Sequence, residues 1–156
     1  MSRKVRVFII NILIPLAVGG LSGFLTMDGM RQFSNLNQPP LSPPGILFPI
    51  VWTILYTLMG IGAALVITST SAPQVKSLSI RVYTFQLFLN FLWPLLFFGA
   101  GAYTLAVVEL VLLLFMVIFM TYLFSKSNKV AAFLQIPYIL WLAFALYLNI
   151  AVAVLN

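Results

Sequence analysis

Residues Gln38–Gly60 read QPPLSPPGILFPIVWTILYTLMG. A loop punctuated by two Pro-Pro pairs, Pro39-Pro40 and Pro43-Pro44, runs here straight into an apolar, aromatic-bearing stretch that stays uncharged to Thr68. Crossing the hydrocarbon core of a bilayer, roughly 30 Å at about 1.5 Å per residue, takes about 20 apolar residues in a helix. The stretch from Gly45 to Thr68 is long enough. Its apolarity is continuous, whereas a barrel strand alternates in polarity over about ten residues, so the element is a transmembrane helix. The prolines ahead of it fix φ and bias their predecessors to extended geometry, which predicts a semi-rigid loop suited to be the lid of a ligand pocket. Pro44 fits the first turn of the helix, where its missing N–H costs nothing.

The rest of the chain repeats the pattern. With 63% hydrophobic and 6% charged residues and a mean hydropathy of +1.14, 156 residues carry more apolar surface than a soluble domain of that size can bury. The expected fold is therefore an all-α membrane protein, a bundle of five transmembrane helices at about 5–27, 45–68, 80–98, 103–124 and 130–155. The loop over 28–44 is its lid. Gly99-Ala100-Gly101 is too short to separate domains, so the third and fourth helices are adjacent and antiparallel in one domain spanning 1–156. The first segment has a basic start, but its apolar run is long and no A-x-A-like site follows, which predicts a retained helix and not a cleaved signal.

Charge sets the expected orientation. If the helices alternate, Arg3, Lys4, Arg6, Lys76, Arg81, Lys126 and Lys129 share one side and only Arg31 lies opposite, beside Asp28. The positive-inside rule then puts the N-terminus in the cytoplasm and the Pro-rich loop and C-terminus outside, in a multi-pass protein of the cell membrane. Topology accounts for the net charge of +6, and the basic residues are too dispersed for a nucleic-acid stripe. The chain has no Cys and no His, so thiolate chemistry, the usual metal and haem ligands and the commonest general base are excluded. Asp28 and Glu109 are the only carboxylates, which argues against a paired-carboxylate hydrolase. No metal site and no required cofactor is expected. Any chemistry falls to a bound molecule or to light.

Polar and aromatic residues inside the helices fall on stripes. Trp52, Tyr56 and Gly60 share one face of the second helix, Gln86, Asn90 and Pro94 with adjacent Trp93 one face of the third, and Trp141, Ala145 and Asn149 with Tyr138 one face of the fifth. Two readings stand: an apolar cavity with a few directional hydrogen-bond groups, or amides and Trp that hold helices together and form the interfacial belt. Asn149 and Tyr147, near the helix end, fit the belt. Gly19 with Gly23 and Gly60 with Ala64 let helices approach closely within the bundle. Glu109 is the one acid inside a helix, a functional candidate by that fact, yet close enough to the helix start to sit hydrated at the outer interface.

The motifs P-x-x-x-P-P before x-V-W-x-x-L-Y-x-x-M-G, L-N-x-x-W-P in QLFLNFLWPLLFFGA, and P-Y-x-x-W-x-x-F-A in PYILWLAFALYLN have a counterpart. From GGLSG in the first helix to the fifth helix, the chain resembles the translocator protein family, also called tryptophan-rich sensory proteins or peripheral-type benzodiazepine receptors (TspO/MBR), in its bacterial form. The resemblance implies a five-helix bundle, commonly a homodimer, that binds porphyrins and synthetic isoquinoline or benzodiazepine ligands under the first loop. It implies a pocket with Trp52, Asn90, Trp93, Tyr138, Trp141, Phe144 and Ala145, to which the stripes add Tyr56 and Gln86. Phe33, Pro39, Pro40, Leu41, Pro43 and Pro44 form the lid.

The departures lie in that lid. The family loop usually reads W-Y-x-x-L-x-K-P-x-W-x-P-P; aligned on Pro43-Pro44, Gln32 and Leu41 stand where the two Trp belong, with Phe33 for Tyr and Gln38 for Lys. Loop aromatics are tied to the light- and oxygen-dependent degradation of protoporphyrin IX by some relatives, so that activity, in which Trp52 and Trp141 would contact the macrocycle, is in doubt here. Nothing basic follows Lys129, so the cholesterol-recognition pattern is absent and steroid transport is not implied. The expectation is a membrane receptor or binding protein for porphyrins, with metal-free protoporphyrin IX as ligand. The alternative is a small secondary transporter of an apolar or anionic metabolite, with Glu109 and a third helix broken at Pro94 as its working parts.

Overall fold

The computed structural model describes all 156 residues. In chain order, α1 spans Arg3–Leu25, α2 Met27–Phe33, α3 Leu47–Ile67 and α4 Pro73–Pro94, which continues into a π-helical turn, Leu95–Gly99. After it come α5 at Tyr103–Ser127, α6 at Lys129–Phe133 and α7 at Ile136–Leu155. There is no strand. Five helices are long and apolar enough to cross a membrane, counting α4 with its π turn and α6 with α7 as one span each. The bundle expected from the hydropathy runs is the one observed.

Local chemistry explains the ends. Ser2 Oγ accepts from Val5 N at 3.3 Å to cap α1, and Asn128 Oδ1 accepts from Ala131 N at 3.0 Å to cap α6. The third span begins at Pro73, well before the expected Ile80, because Pro at its first position starts a helix whose first two turns are polar. A hydropathy run registers only the part that faces lipid. From those polar turns Lys76 Nζ donates to the carbonyl of Ile67 at 3.2 Å, tying α4 to the open end of α3. The expected loop over 28–44 opens as a helix, α2, with Asp28 in its first turn and Arg31 in its last, matching its dipole. Gly101, at φ +63°, makes the tight turn into α5.

Pro94 does not break the third span. It has no N–H for the carbonyl one turn back, and beyond it the ladder widens, with Ala100 N donating to Leu95 O at 2.9 Å. The helix bulges and continues. In packing, α1 lies along α3, and α5 sits between α4 and α7. Leu55, Met59, Leu87, Leu113, Phe124 and Leu142 belong to one buried cluster that joins α3, α4, α5 and α7. Seven basic residues gather at the end that carries Arg3, here called the basic end; α2 and the Pro-rich loop mark the other, the loop end.

Candidate functional site

A cavity of about 460 Å³ lies between α1, α3, α4, α5 and α7 in the loop half of the bundle. That volume is in the range of small-molecule sites. Four of its walls carry side chains: Phe48, Trp52 and Tyr56 from α3, Asn90 and Trp93 from α4, Leu110 and Leu113 from α5, Leu142 and Ala145 from α7. The fifth wall, α1, mixes side chains with backbone: Leu16, Ser22 and Thr26 stand beside Gly19, Gly20 and Gly23. Facing Tyr56, Gly19 leaves no room for a Cβ, but a Cβ on Gly20 or Gly23 would meet nothing within 4 Å. The result is a slot with aromatic rings on its α3 and α4 faces and, on its α1 face, a glycine patch set among Leu16, Ser22 and Thr26.

Hydrogen bonds run inward from the slot. Tyr56 Oη donates to Asn90 Oδ1 at 2.6 Å, Asn90 Nδ2 to Tyr138 Oη at 2.6 Å, Tyr138 Oη to Gln86 Oε1 at 2.9 Å, and Gln86 Nε2 contacts Met59 Sδ at 3.9 Å. The structure thus gathers four of the residues picked from the stripes into one chain across α3, α4 and α7. Tyr56 and Asn90 stand on the cavity wall; Gln86 and Tyr138 stand behind it, fully buried. Trp52 stacks on Tyr56 with centroids 5.3 Å apart and meets Tyr138 edge-on at 6.1 Å.

Nearer the loop, Trp93 Nε1 donates to Asn149 Oδ1 at 3.0 Å, and Asn149 Nδ2 to Tyr103 O at 3.1 Å. Asn149 is buried, so it is no belt residue: it supports Trp93. Trp141 and Phe144 sit off the slot, in a row where Trp141 meets Phe48 edge-on at 5.9 Å and Phe144 at 5.6 Å. The indole N–H of Trp141 is buried without a partner. Glu109 is also buried, against the expectation of a hydrated place at the interface, and neither carboxylate oxygen has a partner. It lies on the inward face of α5 with Ala106, Leu110 and Leu113.

The mouth is marked by exposure. Gly20 on α1, Gly45 at the start of the turn into α3, Pro49 and Thr53 on α3, and Met30 on α2 are the wall residues that remain exposed. The exposed wall residues run from Met30 and Gly45 at the loop end down to Gly20 and Thr53, so the slot opens along the seam between α1 and α3.

The sequence pattern of the TspO/MBR family matches residues 11–155. The chain is 32% identical over 157 residues to the tryptophan-rich protein TspO of Chlorobaculum tepidum, covering 100% of this chain and 99% of that one. It is 36% identical over 132 residues to the human translocator protein, covering 84% and 78%, and 31% identical over 140 residues to the protein CrtK of Rhodobacter capsulatus, covering 90% and 87%. The chain belongs to the TspO/MBR family. It is a multi-pass membrane protein of that family.

In this TspO/MBR member the segment expected as a lid, 28–44, reaches the slot through Met30 of α2, while Phe33, Pro39, Pro40, Leu41, Pro43 and Pro44 are absent from its wall. Phe33 packs on Phe97 and Phe98 of the π turn at 5.7 and 5.6 Å, and Phe98 in turn reaches the slot. Tyr147 Oη donates to Pro40 O at 2.8 Å, and Asn37 and Asn156 exchange hydrogen bonds of 3.1 and 3.0 Å. The loop is thus fastened to α7 and the π turn. Leu41, at φ +69° and 80% exposed, is a strained tip that touches no ring. Gln32 lines a smaller cavity of about 250 Å³ on the far side of α2. Sequence reasoning missed Gly20 and Gly23 as wall; GGLSG was the signal, but glycine reads equally as a packing face.

Proposed function

We propose that this protein is a membrane receptor for a flat hydrophobic molecule, of the porphyrin class, with metal-free protoporphyrin IX as the candidate. The observation that carries the proposal is the slot: Phe48, Trp52 and Trp93 offer rings, and the glycine patch of α1 opposite leaves room beside them, which suits a flat apolar body. Its mouth between α1 and α3 fits a ligand that reaches the site from the bilayer, in the leaflet on the loop side. With the basic end in the cytoplasm, that is the outer leaflet. A homodimer is the proposed assembly, on the family resemblance.

Quenching of tryptophan fluorescence by protoporphyrin IX in purified protein tests this. Two of the three Trp residues line the slot, so quenching is expected to be deep and saturable, and Trp52→Phe to weaken affinity more than Trp141→Phe. Quenching that rises linearly without saturation would remove the proposal. Light-dependent degradation is a separate matter: loss of the porphyrin band under oxygen and illumination at the same rate with and without protein means binding alone. The transporter reading has one observation behind it, the unpartnered carboxyl of Glu109. Flux of protoporphyrin IX into reconstituted vesicles that survives Glu109→Gln retires that role.

A further inference from the structure

The chain of hydrogen bonds behind the slot has a direction. Met59 is wholly buried and its thioether can only accept, so Gln86 must turn its amide nitrogen toward the sulfur. Gln86 Oε1 then faces Tyr138 and takes its hydroxyl hydrogen. The Tyr138 oxygen is left to accept from Asn90 Nδ2, which turns Asn90 Oδ1 toward Tyr56. Asn90 Oδ1 takes the hydroxyl hydrogen of Tyr56. Running the chain backward would set Gln86 Oε1 against the sulfur, an acceptor facing an acceptor in a buried site. One thioether, three side chains from the cavity, fixes every proton between.

The consequence reaches the wall. Tyr56, a residue of the slot wall, has spent its only hydrogen on Asn90, so toward anything in the slot its oxygen can only accept. Asn90 Nδ2 keeps a second hydrogen beside the one it gives Tyr138, and comparison with Tyr56→Phe separates its effect from that of the Tyr56 oxygen. We infer that Met59, Gln86 and Tyr138 act as positioning residues that make Tyr56 a hydrogen-bond acceptor, so that the slot selects flat ligands with an N–H or O–H donor over isosteres with an acceptor in its place. The inference rests on the slot being the ligand site proposed above.

Carbazole and dibenzofuran test it, because the two planar tricycles differ chiefly in N–H against ether oxygen. Equilibrium dialysis against purified protein in detergent is read as the carbazole preference, normalised to Tyr56→Phe, which lacks the oxygen. A single neutral hydrogen bond supports an expected preference of up to about tenfold in the native protein. Met59→Leu conserves volume and removes the acceptor, freeing the chain to run either way. Dibenzofuran is then expected to gain affinity while carbazole changes little, whereas a merely structural role for Met59 would weaken both. Tyr138→Phe, which interrupts the chain, is expected to reduce the preference in the same sense. Equal binding of the two probes to native protein, or parallel losses in Met59→Leu, overturns this inference and leaves the slot reading standing. Binding of neither probe overturns both.

Discussion

Toward the basic end, α1 lies directly on α3: a Cβ at Gly60 would run into the Asn11 carbonyl and the Ile12 backbone, and Gly19 is filled by the ring of Tyr56. At the next residue, Gly20, and one turn on, at Gly23, a Cβ would meet nothing within 4 Å, and the two helices frame the mouth of the slot. Both halves of the seam are made with glycine. In the first, glycine removes a side chain so that backbone can touch backbone, the usual way helices associate in lipid, where the solvent gives no hydrophobic drive. In the second the same removal leaves room that no protein atom takes. What stands opposite the glycine decides whether the seam closes or opens.

The sharpest way to break the comparison is to put a side chain at Gly60. Gly60→Val forces α1 off α3 against rigid backbone, and a loss of about 3 kcal/mol is expected, read as a lowered thermal midpoint in detergent. A variant that melts with the native protein would mean the closed half is not closed. Next in size is Gly23→Leu. Its side chain enters free space, so stability should stay within about 0.5 kcal/mol of native, as for a substitution that meets no neighbour. The mouth, however, is filled. Protoporphyrin IX association, followed by stopped-flow quenching, is expected to slow by about tenfold, equivalent to about 1.4 kcal/mol on the barrier. An unchanged association rate would move the mouth elsewhere.

The two halves were not equally legible in the sequence. Hydropathy runs, Pro73 apart, gave the spans, because lipid imposes continuous apolarity on any helix it surrounds. The stripes on α3 and α4 predicted Trp52, Tyr56, Asn90 and Trp93, since residues four apart share a face whatever their partners are. Periodicity does not say how deep a face is buried. Gln86 and Tyr138 shared stripes with wall residues yet lie one layer behind them, and Asn149 looked like a belt residue while holding Trp93. Nor can periodicity say what glycine faces. The resting place of the loop was illegible for a different reason: its prolines dictate stiffness, but where a stiff loop rests depends on Tyr147 and Asn156, more than 100 positions away in the chain.

The open half also keeps polar groups without partners, and Glu109 shows what that costs. A buried carboxyl with no hydrogen bond lowers stability by the desolvation of its group, so Glu109→Leu is expected to raise stability by about 1 to 2 kcal/mol, visible as a higher thermal midpoint. A fall in the midpoint would mean that the carboxyl has a structural partner. If the midpoint rises while saturable protoporphyrin IX quenching is retained, the acid is neither scaffold nor binding group, and only the flux test leaves it a task.

The smallest effect is expected where the loop meets α7. There the loop is held by the Tyr147 hydroxyl on Pro40 O and by the Asn37 and Asn156 pair, while Phe48 of α3 meets the row of Trp141 and Phe144 on α7. Tyr147→Phe removes one exposed hydrogen bond, a change of about 0.5 to 1 kcal/mol. If ligand passed under the loop, loosening it would speed association. If ligand passes between α1 and α3, the loop acts only as a brace on α7, and Tyr147→Phe should leave the association rate within about twofold of native while Gly23→Leu slows it. Stopped-flow quenching of the two variants side by side separates the routes: a faster association in Tyr147→Phe would put the mouth under the loop, and make the glycine patch of α1 a wall instead of a door.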